Sequence, residues 1–394
     1  MLKLNNVEFL VGSKNIAHKS LEPFNNSICN FLSDLSSDLK LDPLFKEYPD
    51  IATLSFWLRK QNIEKFKTDF NSNQLRLGLG LLFHITPSNI ATNFAYSLIF
   101  GLVTGNSNLV KVPSRKFEQI EIICKSINRV LKKYKVLQGM INIVRYSDQE
   151  TLTPYFSSLC DGRIIWGGDN TIKEIKKYPI KPRSLDLTFA DRYSFCVLNQ
   201  EKLSKLNDTN IKDLAQRFYN DTYLVDQNAC SSPHLVVWFG KGKKDVRKKF
   251  WECLNHLVEK KYDISDYASM DKLTKLYRDI IDYKNLKNFK NYKSNLHIIN
   301  LKFLEKNNHE MTGKWGFFYE YETNNLNNLS KFINKKYQTL TYFGFNKIFL
   351  SKFVSKNKLK GLDRIVPIGQ SLNMNFFWDG YDITKILTRV IDIQ

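Results

Sequence analysis

Between residues 77 and 177 the chain alternates short apolar runs with segments whose apolar residues recur every three or four positions. Leu77 to Ile85, Asn108 to Val112, Ile141 to Val144 and Arg163 to Trp166 read as strands, although Gly78 and Gly80 interrupt the first. Asn89 to Leu102, the stretch carrying Ile120, Ile123, Cys124, Ile127, Val130 and Leu131, Thr151 to Leu159 and Thr171 to Lys177 read as helices. The alternation resumes with a helix at Ile211 to Tyr219, a strand at His234 to Phe239 and a helix at Val246 to Lys260. Further strands are expected near Leu296 to Leu301, Gly316 to Tyr321 and Thr339 to Phe343, and the segment before Leu77 reads as mainly helical. Strand and helix in turn predict parallel sheets wrapped by helices, an α/β fold.

A chain of 394 residues, 43% hydrophobic, has the length for two such domains. The expected division is an N-terminal helical segment plus nucleotide-binding domain over 1–192 and a second domain over 193–355. A C-terminal segment, 356–394, then closes a cleft or returns to the first domain. The opening residues turn polar too early for a signal peptide, and the most membrane-like stretch, Phe94 to Val103, is about half the length of a span, so a cytoplasmic protein without a membrane span is expected. The net charge of +20 admits an anionic nucleotide, coenzyme A, an acidic carrier protein or nucleic acid as partner. The lysines are scattered, however, and the densest run, Lys241 to Lys249, opens a helix and is expected to face solvent. A basic nucleic-acid-binding protein would need an aromatic–basic motif, and none of the known RNA-binding kinds is visible. Six cysteines lie far apart with no C-x-x-C pair, which indicates neither a metal site nor a disulfide framework.

Four segments carry candidate chemistry. Cys230 lies in Asp226-Gln227-Asn228-Ala229-Cys230-Ser231-Ser232-Pro233-His234, a small and polar loop that feeds a strand. A thiolate there suits attack on an acyl carbon; an inert packed cysteine gives the same letters. His234, four residues on, is either a proton donor and acceptor or a histidine that starts a strand and bonds backbone. In His84 to Asn89, Asn89 could donate to a developing oxyanion, or Ser88 and Asn89 could cap the following helix. Lys111 and Ser114 stand at the carboxyl end of a strand, where open α/β sheets take ligands. Trp166-Gly167-Gly168 is a strand-to-helix turn that a pyrophosphate could approach.

In order and spacing these segments resemble the aldehyde dehydrogenase superfamily, and within it the LuxC branch of acyl-thioester reductases. The Pro-x-Asn turn of that superfamily is similar to Pro87-Ser88-Asn89, its Gly-Asn…Lys-Pro-Ser segment to Gly105-Asn106…Lys111-Val112-Pro113-Ser114, and its Phe-x-Gly-Ser turn to Trp166-Gly167-Gly168. Its Gly-Gln-x-Cys nucleophile is similar to Asp226-Gln227-Asn228-Ala229-Cys230. Tyr193-Ser194-Phe195, Ala229 to His234 and Arg364-Ile365-Val366-Pro367-Ile368-Gly369…Trp378-Asp379-Gly380 look closer to the reductase branch.

The resemblance implies two doubly wound α/β domains, cofactor and catalytic, with the active site in the cleft between them. It implies reduction of an acyl thioester, acyl-CoA or acyl-protein, to an aldehyde through an acyl-cysteine on Cys230. NADPH is the expected cofactor, with NADH as the alternative, and Lys111, Ser114, Trp166, Gly167, Gly168 and Glu320 are the expected cofactor residues. An acyl-protein synthetase is the implied partner, and a homo-oligomer the implied state. The glutamate that activates hydrolytic water in dehydrogenases is replaced by Thr188, with Asp186 nearby on the same strand face, which fits release by reduction rather than hydrolysis. The branch's Phe-Gly-Pro-Lys is here Phe189-Ala190-Asp191-Arg192, keeping the charge but losing the glycine. The competing enzyme reading is a cysteine acyltransferase or thioesterase with a vestigial cofactor cleft.

Overall fold

The computed structural model describes residues 6–70, 74–147, 149–243 and 245–394; part of the opening segment and Lys244 of the basic run lie outside them. The chain forms two compact units, the first running to Ala190 and taking up Asn375–Gln394, the second comprising Asp191–Met374. The C-terminal segment is thus shared: 356–374 lies in the second unit and 375–394 in the first.

In the first unit the strands are β1 (Glu8–Val11), β2 (Leu75–Gly78), β3 (Leu81–Ile85), β4 (Ser107–Lys111), β5 (Ile141–Arg145), β6 (Gly162–Trp166) and β7 (Leu185–Phe189). Six of them form one sheet in the order β1-β5-β4-β3-β6-β7, parallel except for β1. Every residue of β3 to β6 is buried, and each strand carries a short apolar run at its centre or end: Leu81-Leu82-Phe83, Leu109-Val110, Ile143-Val144 and Ile164-Ile165-Trp166. The chain runs outward from β3 to β5 and then crosses to β6 on the other side of β3. That reversal opens a crevice at the carboxyl ends of β3 and β6, the usual ligand position in such sheets.

One expected strand is two. Leu77 to Ile85 breaks at Gly80, whose φ is +135° and whose position leaves no room for a Cβ, since Asp161 Oδ2 would be 2.2 Å away. β2 leaves the main sheet and pairs with the C-terminal strand Thr388–Ile391. Phe376 anchors that returning segment among Trp57, Phe66 and Phe100, with ring centroids 5.1 to 6.0 Å from it. Trp378-Asp379-Gly380 belongs to a hairpin whose two turn residues, Asp379 and Gly380, are both left-handed, the arrangement an Asp-Gly turn favours.

In the second unit the strands are β8 (Tyr193–Asn199), β9 (Pro233–Phe239), β10 (Leu286–Tyr292), β11 (Leu296–Leu301), β12 (Phe317–Thr323), β13 (Tyr337–Phe343) and β14 (Arg364–Pro367). Their order is β10-β11-β12-β9-β8-β13-β14, parallel except for β10. Alternate residues serve two cores: Phe195, Val197, Leu235 and Val237 on one face, Cys196, Leu198, Val236 and Trp238 on the other. Among the described residues no helix is long and apolar enough to cross a membrane.

Candidate active site

The nucleophile turn is built at the amino edge of the second sheet. The helix Asp208–Thr222 ends in a short 3-10 turn, Tyr223–Val225, and the chain then passes through two consecutive left-handed residues, Asp226 (φ 52°) and Gln227 (φ 60°). Neither is glycine, so the backbone there is strained and has to be held. Gln227 holds it. Its buried amide donates to the carbonyls of Pro233 (3.0 Å) and Phe317 (3.1 Å) and accepts from the N–H groups of Gly316 (3.2 Å) and Phe317 (3.1 Å). Around it the Gln227 N–H donates to Thr222 O, the Trp315 N–H to Asp226 O, and Tyr262 Oη to Asp226 Oδ1 at 2.5 Å. The Cys230 carbonyl accepts from Ser194 Oγ (2.6 Å), which accepts in turn from the Thr339 N–H (3.1 Å). Cys230 therefore sits half-buried in a turn tied to β8, β9, β12 and β13.

The other cysteines differ. Cys124, Cys160 and Cys196 are buried and their thiols are pushed up, Cys160 to about 12, chiefly by burial. Cys29 and Cys253 stand in helices and are also raised by burial. Only Cys230 combines a loop position with partial exposure.

His234 does not fit the proton-transfer role expected of it. Its Nδ1 accepts the Gly313 N–H (3.1 Å), its ring stacks on Tyr193, and burial lowers its pKa to about 4. It is a neutral imidazole with one nitrogen committed to backbone, fastening the 313–316 turn to β9. Glu320 is corrected in the same way. Its buried carboxylate accepts from Trp238 Nε1 (2.8 Å), Trp251 Nε1 (3.1 Å) and Asn300 Nδ2 (3.0 Å), which makes it a core group rather than a ribose ligand. Asp186 is also engaged: it binds Arg163 through both oxygens (2.7 and 2.9 Å), and that buried guanidinium further donates to Ser157, Ile175 and Tyr178. Arg192 pairs with Asp363 and donates to Tyr337 O.

The cofactor candidates gather at the carboxyl edge of the first sheet. Register sets Ile85 beside Lys111 of β4 on one side and Ile165 of β6 on the other, so the segments following all three strands emerge together. Asn89 stands on the exposed bend after β3; the following helix, Asn93–Val103, has Thr92 at its N-cap, and the Thr92 side chain makes no capping bond. Lys111 is 6% exposed, its ammonium lies 5.1 Å from the Tyr146 ring, and burial lowers its pKa. Among the described residues it makes no ion pair or hydrogen bond through Nζ. Ser114 donates to Tyr146 O (3.2 Å), so both residues converge on the end of β5. Gly167 needs no special backbone: its φ is not left-handed, and an added Cβ would make ordinary contact with Thr171 at 3.4 Å.

Trp166 is placed differently from expectation. It stacks on Phe189 with centroids 3.8 Å apart, and its indole N–H donates to Ser97 Oγ (3.0 Å). Ser97 contacts His84 Nδ1 (2.8 Å), and His84 Nε2 meets Asn108 Oδ1 (2.9 Å). Because Asn108 Oδ1 can only accept, the His84 proton sits on Nε2; burial takes His84 to about 4 and keeps it neutral. This buried chain joins β3, β4 and β6 and aims the glycine turn, so Trp166 positions that turn rather than offering a face to a ligand.

Sequence reasoning quoted Gln227 and Ser194 only as family letters and missed their function. For Gln227 the available signal was a polar residue three positions before a candidate nucleophile; Ser194, 36 residues away, carried none along the chain. The Arg364 to Gly369 phrase is explained similarly: Arg364 donates to the carbonyls of Gln370, Ser371 and Asn373, and the Asp221 carboxylate accepts from the N–H groups of Gly369 (2.6 Å) and Ser371 (2.8 Å). Asp221 also accepts Ser232 Oγ at its own carbonyl (2.8 Å), which ties the phrase to the nucleophile turn.

Comparison with solved structures gives the class. The fold is that of aldehyde dehydrogenases. It is similar to glyceraldehyde-3-phosphate dehydrogenase GapN of Methanocaldococcus jannaschii, solved with NADP (15% identity, 93% of this chain and 88% of that chain, TM-score 0.62). It is also similar to aldehyde dehydrogenase 21 of Physcomitrella patens, solved with succinate (13%, 93% and 85%, TM-score 0.63). Lactaldehyde dehydrogenase of Escherichia coli is a third (12%, 93% and 86%, TM-score 0.61). No curated protein sequence matches. The chain belongs to the acyl-CoA reductase (LuxC) family, whose pattern it matches over residues 57–303. It is therefore an oxidoreductase acting on acyl and aldehyde groups. The matched stretch includes Asn89, Lys111, Gly167, Gly168 and Cys230 and ends before Glu320 and the Arg364 phrase.

Proposed function

We propose that the protein reduces a fatty acyl thioester, carried by coenzyme A or by a protein, to the aldehyde with NADPH, by way of an acyl group on Cys230. The observation that carries this is the half-buried Cys230 in a strained turn held from four strands, in a chain of the acyl-CoA reductase family. The Cys230 thiolate attacks the acyl carbon, the carrier thiolate leaves, and the acyl group remains on sulfur. The Asn89 amide and the Cys230 N–H are the proposed donors to the oxyanion, each worth roughly 3–4 kcal/mol in well-studied sites. When bound, a nicotinamide supplies the two electrons as hydride to that carbon. Collapse of the Cys230 thiohemiacetal then releases aldehyde and, with one proton, restores the thiol. With Asp186 committed to Arg163, the neighbourhood of Thr188 gains no carboxylate from that strand to activate water, which favours reduction over hydrolysis. Intact-mass spectrometry after incubation with mixed acyl thioesters tests the reading; an adduct mapped to Cys230 identifies the acyl group, and cofactor-independent thioester cleavage would replace the reductase by a thioesterase.

The residues present fit such a cofactor. A buried ammonium without a counter-charge is costly, and an anionic group at Lys111 would relieve it. Lys111→Met is expected to weaken NADPH binding about tenfold or more, and NADH binding less, in fluorescence titration. The protonated amine is the binding form and its pKa is lowered, so NADPH affinity should fall as pH rises, beginning below the ordinary lysine range. Equal loss for both cofactors, or a flat pH profile, would remove Lys111 from the phosphate. Gly167→Ala should leave the melting temperature nearly unchanged, because the Cβ has room in the protein itself, yet raise the cofactor Kd if a pyrophosphate approaches that backbone. An unchanged Kd would place the pyrophosphate elsewhere.

A further inference from the structure

The inner face of the helix Asp266–Asp282 in the second unit carries Ala268, Lys272, Leu276 and Asp279, one buried stripe at helical spacing. Lys272 is the anomaly on it. The residue is 2% exposed and makes no ion pair among the described residues. Its Nζ donates to the carbonyls of Ser294 (2.6 Å) and Trp315 (2.8 Å), and these two bonds are what stabilise the charge. Burial lowers its pKa to about 7, with no carboxylate to offset that effect. An apolar side chain would pack on the stripe without this cost, so the ammonium is explained by what it does to the two carbonyls.

The Trp315 carbonyl leads to the nucleophile turn. It belongs to the same peptide group as the Gly316 N–H, which donates to Gln227 Oε1 (3.2 Å). A cation on the oxygen of a peptide draws electron density from its N–H and strengthens the bond made on the other side. Trp315 is left-handed (φ 52°) without being glycine, so its backbone has to be held, and Gly316 follows at φ 82°. Gly316 cannot carry a Cβ, which would collide with Tyr223 Oη, and glycine restricts the plane of its peptide least of any residue. The plane is therefore set by its bonds, Lys272 at the oxygen and Gln227 at the nitrogen. On either side the Trp315 N–H reaches Asp226 O (3.1 Å), and the Phe317 N–H reaches the same Gln227 oxygen (3.1 Å).

We propose that Lys272 is a positioning residue for Cys230, a role that rests on Cys230 being the nucleophile. Its ammonium fixes the Trp315–Gly316 peptide, that peptide fixes the Gln227 amide, and the amide holds the turn that presents the thiol. The neighbouring titratable groups do not supply this function. His297 on β11 is kept neutral, its pKa lowered to about 4 by burial and by the Lys272 charge. Lys275, one turn along the helix, pairs with Asp279 (3.0 Å), and Lys293 pairs with Glu259 (3.5 Å).

Lys272→Met, which keeps the length of the side chain and removes its donors, tests the proposal. Alkylation of Cys230 by iodoacetamide, followed by peptide mapping well below the melting temperature, should slow about tenfold or more. The half-buried Cys29 and Cys253 should react as in the wild type. Tryptophan labelled at its carbonyl carbon, combined with glycine labelled at nitrogen, reports in NMR on two peptides only, Trp166–Gly167 and Trp315–Gly316. The second resonance should move in the variant and the first should not. Lys272→Gln, which keeps neutral donors on a shorter stem, should show both changes to a smaller degree and serves if Lys272→Met does not fold. Unaltered Cys230 alkylation in a variant whose Trp315–Gly316 resonance has moved would reduce Lys272 to a packing group and overturn the proposal, and so would an unmoved resonance. Iodoacetamide needs neither acyl thioester nor cofactor, so the two readings fail separately. Slowed alkylation in a protein that no thioester acylates keeps the positioning and removes the reductase; a Cys230 that is acylated but indifferent to Lys272 does the reverse.

Discussion

Cys230→Ser is expected to bind nicotinamide cofactor as the wild type does, to gain no acyl mass from any thioester, and to lose turnover by about 10⁴-fold or more. The expectation rests on how the turn is built. The residue is held by its carbonyl, through Ser194, and by the neighbouring Gln227, and both ties remain in the serine variant. A thermal melt that matches the wild type then shows that lost activity reports on the nucleophile. The buried thiols of Cys124, Cys160 and Cys196 supply an internal control, since burial disfavours their thiolates and they should stay unmodified in the native protein. An acyl adduct on the Ser variant, or activity near that of the wild type, would end the proposed chemistry.

Gln227→Glu should be nearly as damaging, by a different route. The substitution keeps size and keeps one oxygen to accept from Gly316 and Phe317. It replaces the amide NH₂ with an oxygen facing the carbonyls of Pro233 and Phe317, so two bonds become two repulsions inside a buried site. A cost of about 3 kcal/mol in urea unfolding is expected at neutral pH, together with slowed acylation of Cys230. The sign with pH follows from protonation. A neutral carboxyl group in place of the Gln227 amide can donate again, so the folded state raises its pKa and holds a proton that the unfolded chain releases. The deficit should therefore shrink as pH falls toward the ordinary glutamate range and grow as pH rises through the raised value. A variant as stable as the wild type at neutral pH would show that the amide is not what holds the strained turn.

The outlines of both sheets were legible because β3 to β6, β9 and β11 are buried on both faces and so appear as short apolar runs between amphipathic helices. Elsewhere the pattern failed for physical reasons. The helix Asp266–Asp282 went unrecognised because apolar residues on both its faces blur the helical period. β2 and β3 looked like one strand because only the crowding of Gly80 against Asp161 reveals the break. β10, an edge strand with mostly exposed positions, carries almost no alternation.

For the site, the sequence alone singled out a loop cysteine feeding a strand, the bend after β3, the lysine ending β4 and the glycine turn ending β6, because small, polar and glycine residues at strand ends are a local property. What the tertiary structure decided was which of the neighbouring polar groups are already engaged. Asp186 is claimed by an arginine 23 residues away, His234 by a backbone N–H 79 away, Glu320 by indoles 69 and 82 away, and Gln227 by a strand 90 residues on. A hydrogen bond closes over a few ångströms of space whatever the chain separation, and the desolvation that accompanies burial belongs to the packed state. Neither can be read along the chain; both had to be seen in the fold.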